Sequence, residues 1–111
     1  FFFKTSSGNQ LRDFLYIDDA INAIMKALLN KESSGKIFNI GMGKPIKLKK
    51  IMQLVKKKTN YLNPIFGKIK LRKDENKIVY PKIILAKRHL KWKFKTTFEQ
   101  GLNKTIKFYR G

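Results

Sequence analysis

Apolar side chains recur at two spacings along this chain, and each change of spacing marks an element. Over residues 11–17 they alternate. Arg12, Phe14 and Tyr16 share one face, and Leu11, Asp13, Leu15 and Ile17 share the other. That period predicts a strand, and apolar residues on both faces predict one covered on both sides. Ser6-Ser7-Gly8-Asn9 is turn chemistry before it. Beyond Asp18-Asp19 the period lengthens. Ile21, Ile24, Met25, Leu28 and Leu29 form one apolar stripe at helical spacing. Either aspartate can cap that helix and complement its positive end.

The pattern then repeats more weakly. Residues 30–35 end the helix, and Ile37, Phe38 and Ile40 predict a short strand over 36–40. A loop follows at Gly41-Met42-Gly43-Lys44-Pro45. Leu48, Ile51, Met52 and Val55 predict a second helix over about 47–58. Apolar and basic residues alternate over 65–71, the pattern of a half-buried strand, and 72–77 reads as a loop. Pro81 can open a short helix over 82–90. Thr96 and Glu99 have the spacing of a capping box for a last helix, with Phe98, Leu102, Ile106 and Tyr109 on one side. Residues 1–7 are a lead-in, the end of an earlier element. The order is strand, helix, strand, helix, strand, helix, helix, which predicts a small α/β or α+β unit.

Composition narrows the classes. One hundred and eleven residues suit one small domain, here expected over 1–111. Hydrophobic content of 42% is enough for a packed core. The absence of cysteine excludes a disulfide framework and thiolate metal sites, and fits a cytoplasmic location. No uncharged apolar run approaches the roughly 20 residues that span a membrane, so no membrane partner is expected. Phe1-Phe2-Phe3 is too short for a signal-peptide core. A first residue other than Met suggests an excerpt, a processed product or a truncated chain. The net charge of +19 attracts phosphates and nucleic acid. Its carriers are nearly all lysines spread along the chain, with arginine only at 12, 72, 88 and 110. Solvated lysine faces and a dedicated polyanion surface both fit that distribution.

Several residues are candidates for chemistry, each with a plain structural alternative. Arg12, flanked by apolar strand residues, must pair its guanidinium or keep it in water. It can pair with Asp13, Asp18 or Asp19, or grip a phosphate with both arms. Asp18 and Asp19 read as cap and dipole partner before acid and base, since no His or second acidic cluster is near in sequence. Gly41-Met42-Gly43-Lys44 has the flavour of a phosphate loop but fits neither glycine-rich signature; close backbone approach explains its glycines as well. Arg72 and Glu75, three residues apart, would suit a phosphate and a ribose hydroxyl, or form an ordinary charged turn. His89, the sole histidine, reads as a partly buried helix residue, and Trp92 as a core or lid aromatic.

Taken in order, G-N-Q-L-R-D-F-L-Y-I-D-D-A, F-N-I-G-M-G-K-P-I, R-K-D-E, A-K-R-H-L-K-W-K-F-K-T-T-F-E-Q-G-L and K-F-Y resemble the C-terminal part of NAD-dependent sugar-nucleotide epimerases and dehydratases. These are the extended short-chain dehydrogenase/reductases. The resemblance runs from about Gly8 to Tyr109. It implies a substrate-binding part beside a Rossmann-type domain that is largely absent here. Arg12 matches the family's substrate-phosphate arginine. Arg72 and Glu75 match a second arginine at the diphosphate and an acid at the ribose. The implied partners are a nucleoside-diphosphate sugar and an N-terminal Rossmann domain, in the same chain or another, and the resemblance admits a homodimer. Lys82 stands where the family usually has Asp, Lys91 interrupts its L-G-W, and Phe94 stands where Pro is frequent. The complete enzyme would use NAD(P). This stretch lacks the glycine-rich loop and the Y-x-x-x-K pair, since Tyr16, Tyr61 and Tyr80 are followed four residues on by Ala20, Ile65 and Ile84. No catalytic, cofactor or metal residues are therefore expected in it. Two alternatives stand beside this reading: a basic module for nucleic acid or another polyanion, and a nonfunctional remnant of the enzyme.

Overall fold

The structure, a computed structural model, describes residues 2–111; Phe1, the first residue of the lead-in, lies outside them. The chain is a small α/β protein that divides into two compact units. One combines the chain up to Arg12 with Pro45–Val79, and the other Asp13–Lys44 with Tyr80–Gly111.

The first unit holds all five strands among the described residues and one helix. β1 (Phe2–Lys4) pairs in parallel with β4 (Asn63–Ile65). β2 (Leu11–Arg12) lies between β3 (Ile46–Lys47), antiparallel to it, and β5 (Ile78–Val79), parallel to it. The lead-in therefore supplies a strand of its own. Gly8 makes the corner between β1 and β2. Its φ of +72° favours glycine, and its carbonyl accepts from the Lys49 N–H at 2.8 Å. A Cβ there would lie 2.8 Å from Lys49 Cβ. α2 (Leu48–Thr59) follows the predicted stripe and ends on Asn60 in the left-handed region at φ 54°.

Two predicted strands are corrected here. The strand over 65–71 shrinks to Asn63–Ile65. The chain then turns, with the Gly67, Lys68 and Ile69 N–H groups donating to the Ser6 and Thr5 carbonyls. Residues 68–73 are exposed, so their alternation reflects no sheet face. The strand over 11–17 is paired only at Leu11 and Arg12. Beyond them the chain runs on without a ladder into the second unit, where α1 (Ile17–Leu29) begins.

The second unit is helical, built from α1, α3 (Ile84–His89) and α4 (Phe98–Arg110). Its core is Ala23, Ala86, Leu90 and Trp92, with Leu15, Ala27, Phe38 and Ile40 packed around it. Trp92, 1% exposed, is its largest fully buried side chain. α1 meets this core along Asp19, Ala23 and Ala27, a ridge of small residues. Its predicted apolar stripe faces outward, with Leu28 73% and Leu29 80% exposed. Residues 36–40 form no strand; Phe38 and Ile40 supply packing while Ile37 is exposed.

The helix starts also differ from expectation. α1 has Tyr16 at its N-cap and no side-chain cap, so neither Asp18 nor Asp19 caps it. The buried Asp19 instead accepts from the Lys95 N–H at 3.1 Å and the Thr96 N–H at 3.0 Å. That shifts the capping box of α4 by one residue. With the Thr96 N–H taken, Thr97 and Gln100 form it, at 3.2 and 3.0 Å. α3 begins at Ile84 rather than beside Pro81, and His89 on its last turn is exposed rather than partly buried.

Candidate functional site

β2 ends on Arg12, and its pairing on both sides fixes where that side chain leaves the sheet. A turn closes after Leu71, with the Glu75 N–H donating to the Arg72 carbonyl at 3.1 Å. That turn presents Arg72 and Glu75 together. Arg12, Arg72 and Glu75 all belong to the first unit, and they converge. Arg12 Nη2 lies 2.9 Å from Glu75 Oε1. Arg72 donates to Glu75 Oε2 from Nε at 3.0 Å and from Nη2 at 2.8 Å. Arg12 Nη1 also donates to the Leu11 carbonyl at 2.8 Å, which steadies its fork.

Arg12 thus has an acidic partner, but Glu75 rather than any of the three aspartates that sequence proximity suggested. Asp13 is committed elsewhere. Its carboxylate accepts from the Met42 N–H at 2.9 Å and the Gly43 N–H at 2.7 Å. Those are the amides that a phosphate loop at Gly41–Lys44 would present, so this loop is built on a protein carboxylate and does not fit a cofactor phosphate. Gly41 is there for space: a Cβ would run into Pro81 Cγ. Among the described residues no group of three His, Cys, Asp or Glu could hold a metal ion.

The arginines hold the Glu75 carboxyl below its ordinary value of 4.5. Hydrogen bonding from Arg72 is the main cause. Desolvation opposes it, and the charges of Arg72 and Arg12 and a hydrogen bond from Gln10 assist it. A depressed carboxyl contributes stability fully above its unfolded value, and loses it as pH falls through the folded value. The stability difference between wild type and Glu75→Gln should therefore be constant above about pH 5 and shrink through about pH 4 and below. Urea denaturation at stepped pH reads it, and a difference growing toward acid would contradict the clamp.

Beside the clamp lies a cleft of about 590 Å³ whose lining includes Gln10, Leu11, Arg72, Lys73, Glu75 and Lys77. Sequence reasoning singled out Arg72 and Glu75 but missed Gln10, Lys73 and Lys77. One signal was available for Gln10, which stands two residues before Arg12. The lining thus brings together one guanidinium, two lysines and the carboxylate that pairs with that guanidinium.

Fold and site together define a small α/β protein with an arginine pair converging at a strand edge. A model of the NAD dependent epimerase/dehydratase family matches residues 2–41. CDP-abequose synthase of Salmonella muenchen is 32% identical over 101 residues, 89% of this chain and 34% of that protein. The dTDP-D-glucose 4,6-dehydratase of Mus musculus is 33% identical over 110 residues, 94% of this chain and 30% of that one. Among solved structures, UDP-glucose 4-epimerase with UDP-glucose from Thermotoga maritima superimposes with a TM-score of 0.83. That pair is 27% identical and covers 98% of this chain and 34% of the epimerase. The chain belongs to the NAD-dependent epimerase/dehydratase family, and it spans about a third of the length of the curated relatives it matches. No helix among the described residues is long and apolar enough to cross a membrane.

Proposed function

We propose that this chain is the sugar-nucleotide-binding portion of an NAD-dependent epimerase or dehydratase. Arg12 and Arg72 grip the substrate diphosphate, and Glu75 accepts from its ribose. The observation that carries this reading is the convergence of two arginines, distant in sequence, on one carboxylate beside a cation-lined cleft. Glu75 holds the two guanidiniums together before any ligand arrives, which lowers the cost of ordering them around a diphosphate. The relatives named above are a CDP-, a dTDP- and a UDP-sugar protein, and their shared chemistry is a sugar on a nucleoside diphosphate. Hydride transfer and NAD(P) binding belong to a Rossmann part, in the same chain or a separate one. The outward apolar stripe of α1 is a surface such a part would cover.

Calorimetric titration of the 111-residue chain with UDP-glucose tests the reading. Arg12→Ala and Arg72→Ala should each weaken binding by about tenfold or more, the value of a charge-assisted hydrogen bond. No binding by wild type, or unchanged binding by both variants, removes it.

One feature favours a second reading. The first unit carries thirteen Lys and Arg against Asp74 and Glu75, a net +11, with Lys56, Lys57 and Lys58 in the last turn of α2. A polyanion module would bind nucleic acid with an affinity that falls steeply with salt and ignores Arg72→Ala.

A further inference from the structure

Gln10 stands out among the polar residues of the first unit. It is 9% exposed, and its Oε1 is buried with no hydrogen-bond partner. Its Nε2 lies 3.5 Å from Ser6 Oγ, and its side chain also supplies a hydrogen bond that helps depress the Glu75 carboxyl. A carboxylate only accepts, so the amide N–H₂ must be the end near Glu75. The Ser6 hydroxyl serves as donor or acceptor, so it gives no reason to reverse the amide. Oε1 is therefore left without a donor.

The backbone gives it little freedom to find one. The Gln10 carbonyl accepts from the Leu48 N–H at 3.1 Å, and the Leu11 N–H donates to the Lys77 carbonyl at 2.7 Å. A buried acceptor without a donor is costly and uncommon in native proteins. This one belongs to a residue that lines the cleft beside Arg72 and Glu75.

We propose that Gln10 Oε1 accepts a hydrogen bond from the nucleoside half of the ligand, from a ribose hydroxyl or a ring N–H. This rests on the diphosphate reading above, which puts Glu75 at the ribose. Gln10 lines the same cleft as Arg72 and Glu75 and stands two residues before Arg12. It therefore lies in the cleft that holds the carboxylate assigned to the ribose. The cations of the cleft have no use for an added acceptor toward phosphate, since phosphate oxygens only accept. An uncharged donor on the nucleoside is what the amide oxygen suits.

The test titrates the 111-residue chain with UDP, inorganic diphosphate, 2′,3′-dideoxy-UDP and N3-methyl-UDP. Gln10→Met, which keeps the shape and removes both polar ends, should weaken UDP by about 3- to 10-fold and leave diphosphate unchanged. In wild type one of the two modified ligands should lose the same factor, the dideoxy form for a ribose donor and the methylated form for a base donor. In Gln10→Met that ligand should bind as UDP does, the signature of a shared contact. Gln10→Glu, which keeps an acceptor oxygen, should retain the discrimination. Circular dichroism checks folding, and the Gln10→Glu comparison decides if Gln10→Met does not fold. The inference is overturned if Gln10→Met weakens UDP and diphosphate alike, which would mean it acts through Glu75. It is equally overturned if no variant alters UDP binding, or if neither modified ligand loses affinity in wild type. Loss of arginine dependence would remove the diphosphate reading and this inference together. Retained arginine dependence with an unmoved Gln10→Met removes this inference alone.

Discussion

Replacing Trp92 with alanine should destabilise the helical unit by about 3–5 kcal/mol, the usual cost of truncating a large core aromatic. The indole is 1% exposed and packs in one core with Ala23, Ala86 and Leu90. Alanines at two of those positions cannot collapse into the space it leaves. The indole also donates from Nε1 to the Asp19 carbonyl at 3.0 Å, tying the loop after α3 to the first turn of α1. Trp92→Phe keeps much of the volume and loses that bond, so it should cost less than half as much. Urea denaturation followed by far-ultraviolet circular dichroism reads both. A loss under about 1 kcal/mol for Trp92→Ala would show that the core can close without the indole.

The second large effect concerns Asp19. Asp19→Ala should cost about 2–4 kcal/mol, because it strands two backbone donors that now share one buried carboxylate, and hydrogen bonds to charged groups are the stronger ones. Those donors, Lys95 and Thr96, lead directly into the capping box of α4. The damage should therefore appear as fraying at the start of that helix, read as faster amide exchange at Gln100 and Gly101. Asp19→Asn keeps one acceptor oxygen and should fall between. If Asp19→Ala left exchange in α4 unchanged, the carboxylate would not be organising that loop.

Much of the fold was legible from residue spacing. The helical stripes located α1 and α2 within a few residues, because a 3.6-residue period has few other causes. Arg12, Arg72 and Glu75 do meet, and only the ordered resemblance linked residues so far apart, because local sequence offered Arg12 three nearer aspartates. Failures cluster where spacing reports something other than what it suggests. Alternation over 11–17 reports packing on two sides of an extended segment. Phe14 stacks edge-on against Phe98 at 6.2 Å, but no ladder partner follows Arg12. Alternation over 68–71 reports charge among exposed residues. Asp19 read as a cap because local sequence cannot show that it reaches residues 95 and 96, and the capping box slipped by one for the same reason. The α1 stripe was read correctly as apolar, yet the helix packs through its alanines.

The division of the chain has a consequence for how it can be cut. Each unit is assembled from two stretches, and the chain passes from one unit to the other at 12–13, at 44–45 and again at 79–80. No single break separates the two units from each other. A nick at 12–13 or at 79–80 leaves one unit entire but joined to a stretch of the other, and a nick at 44–45 divides both, so no single cut releases a unit by itself. Shuffling between relatives meets the same obstacle. A chain recombined from two parents keeps both units intact only if it switches parent at all three crossings together.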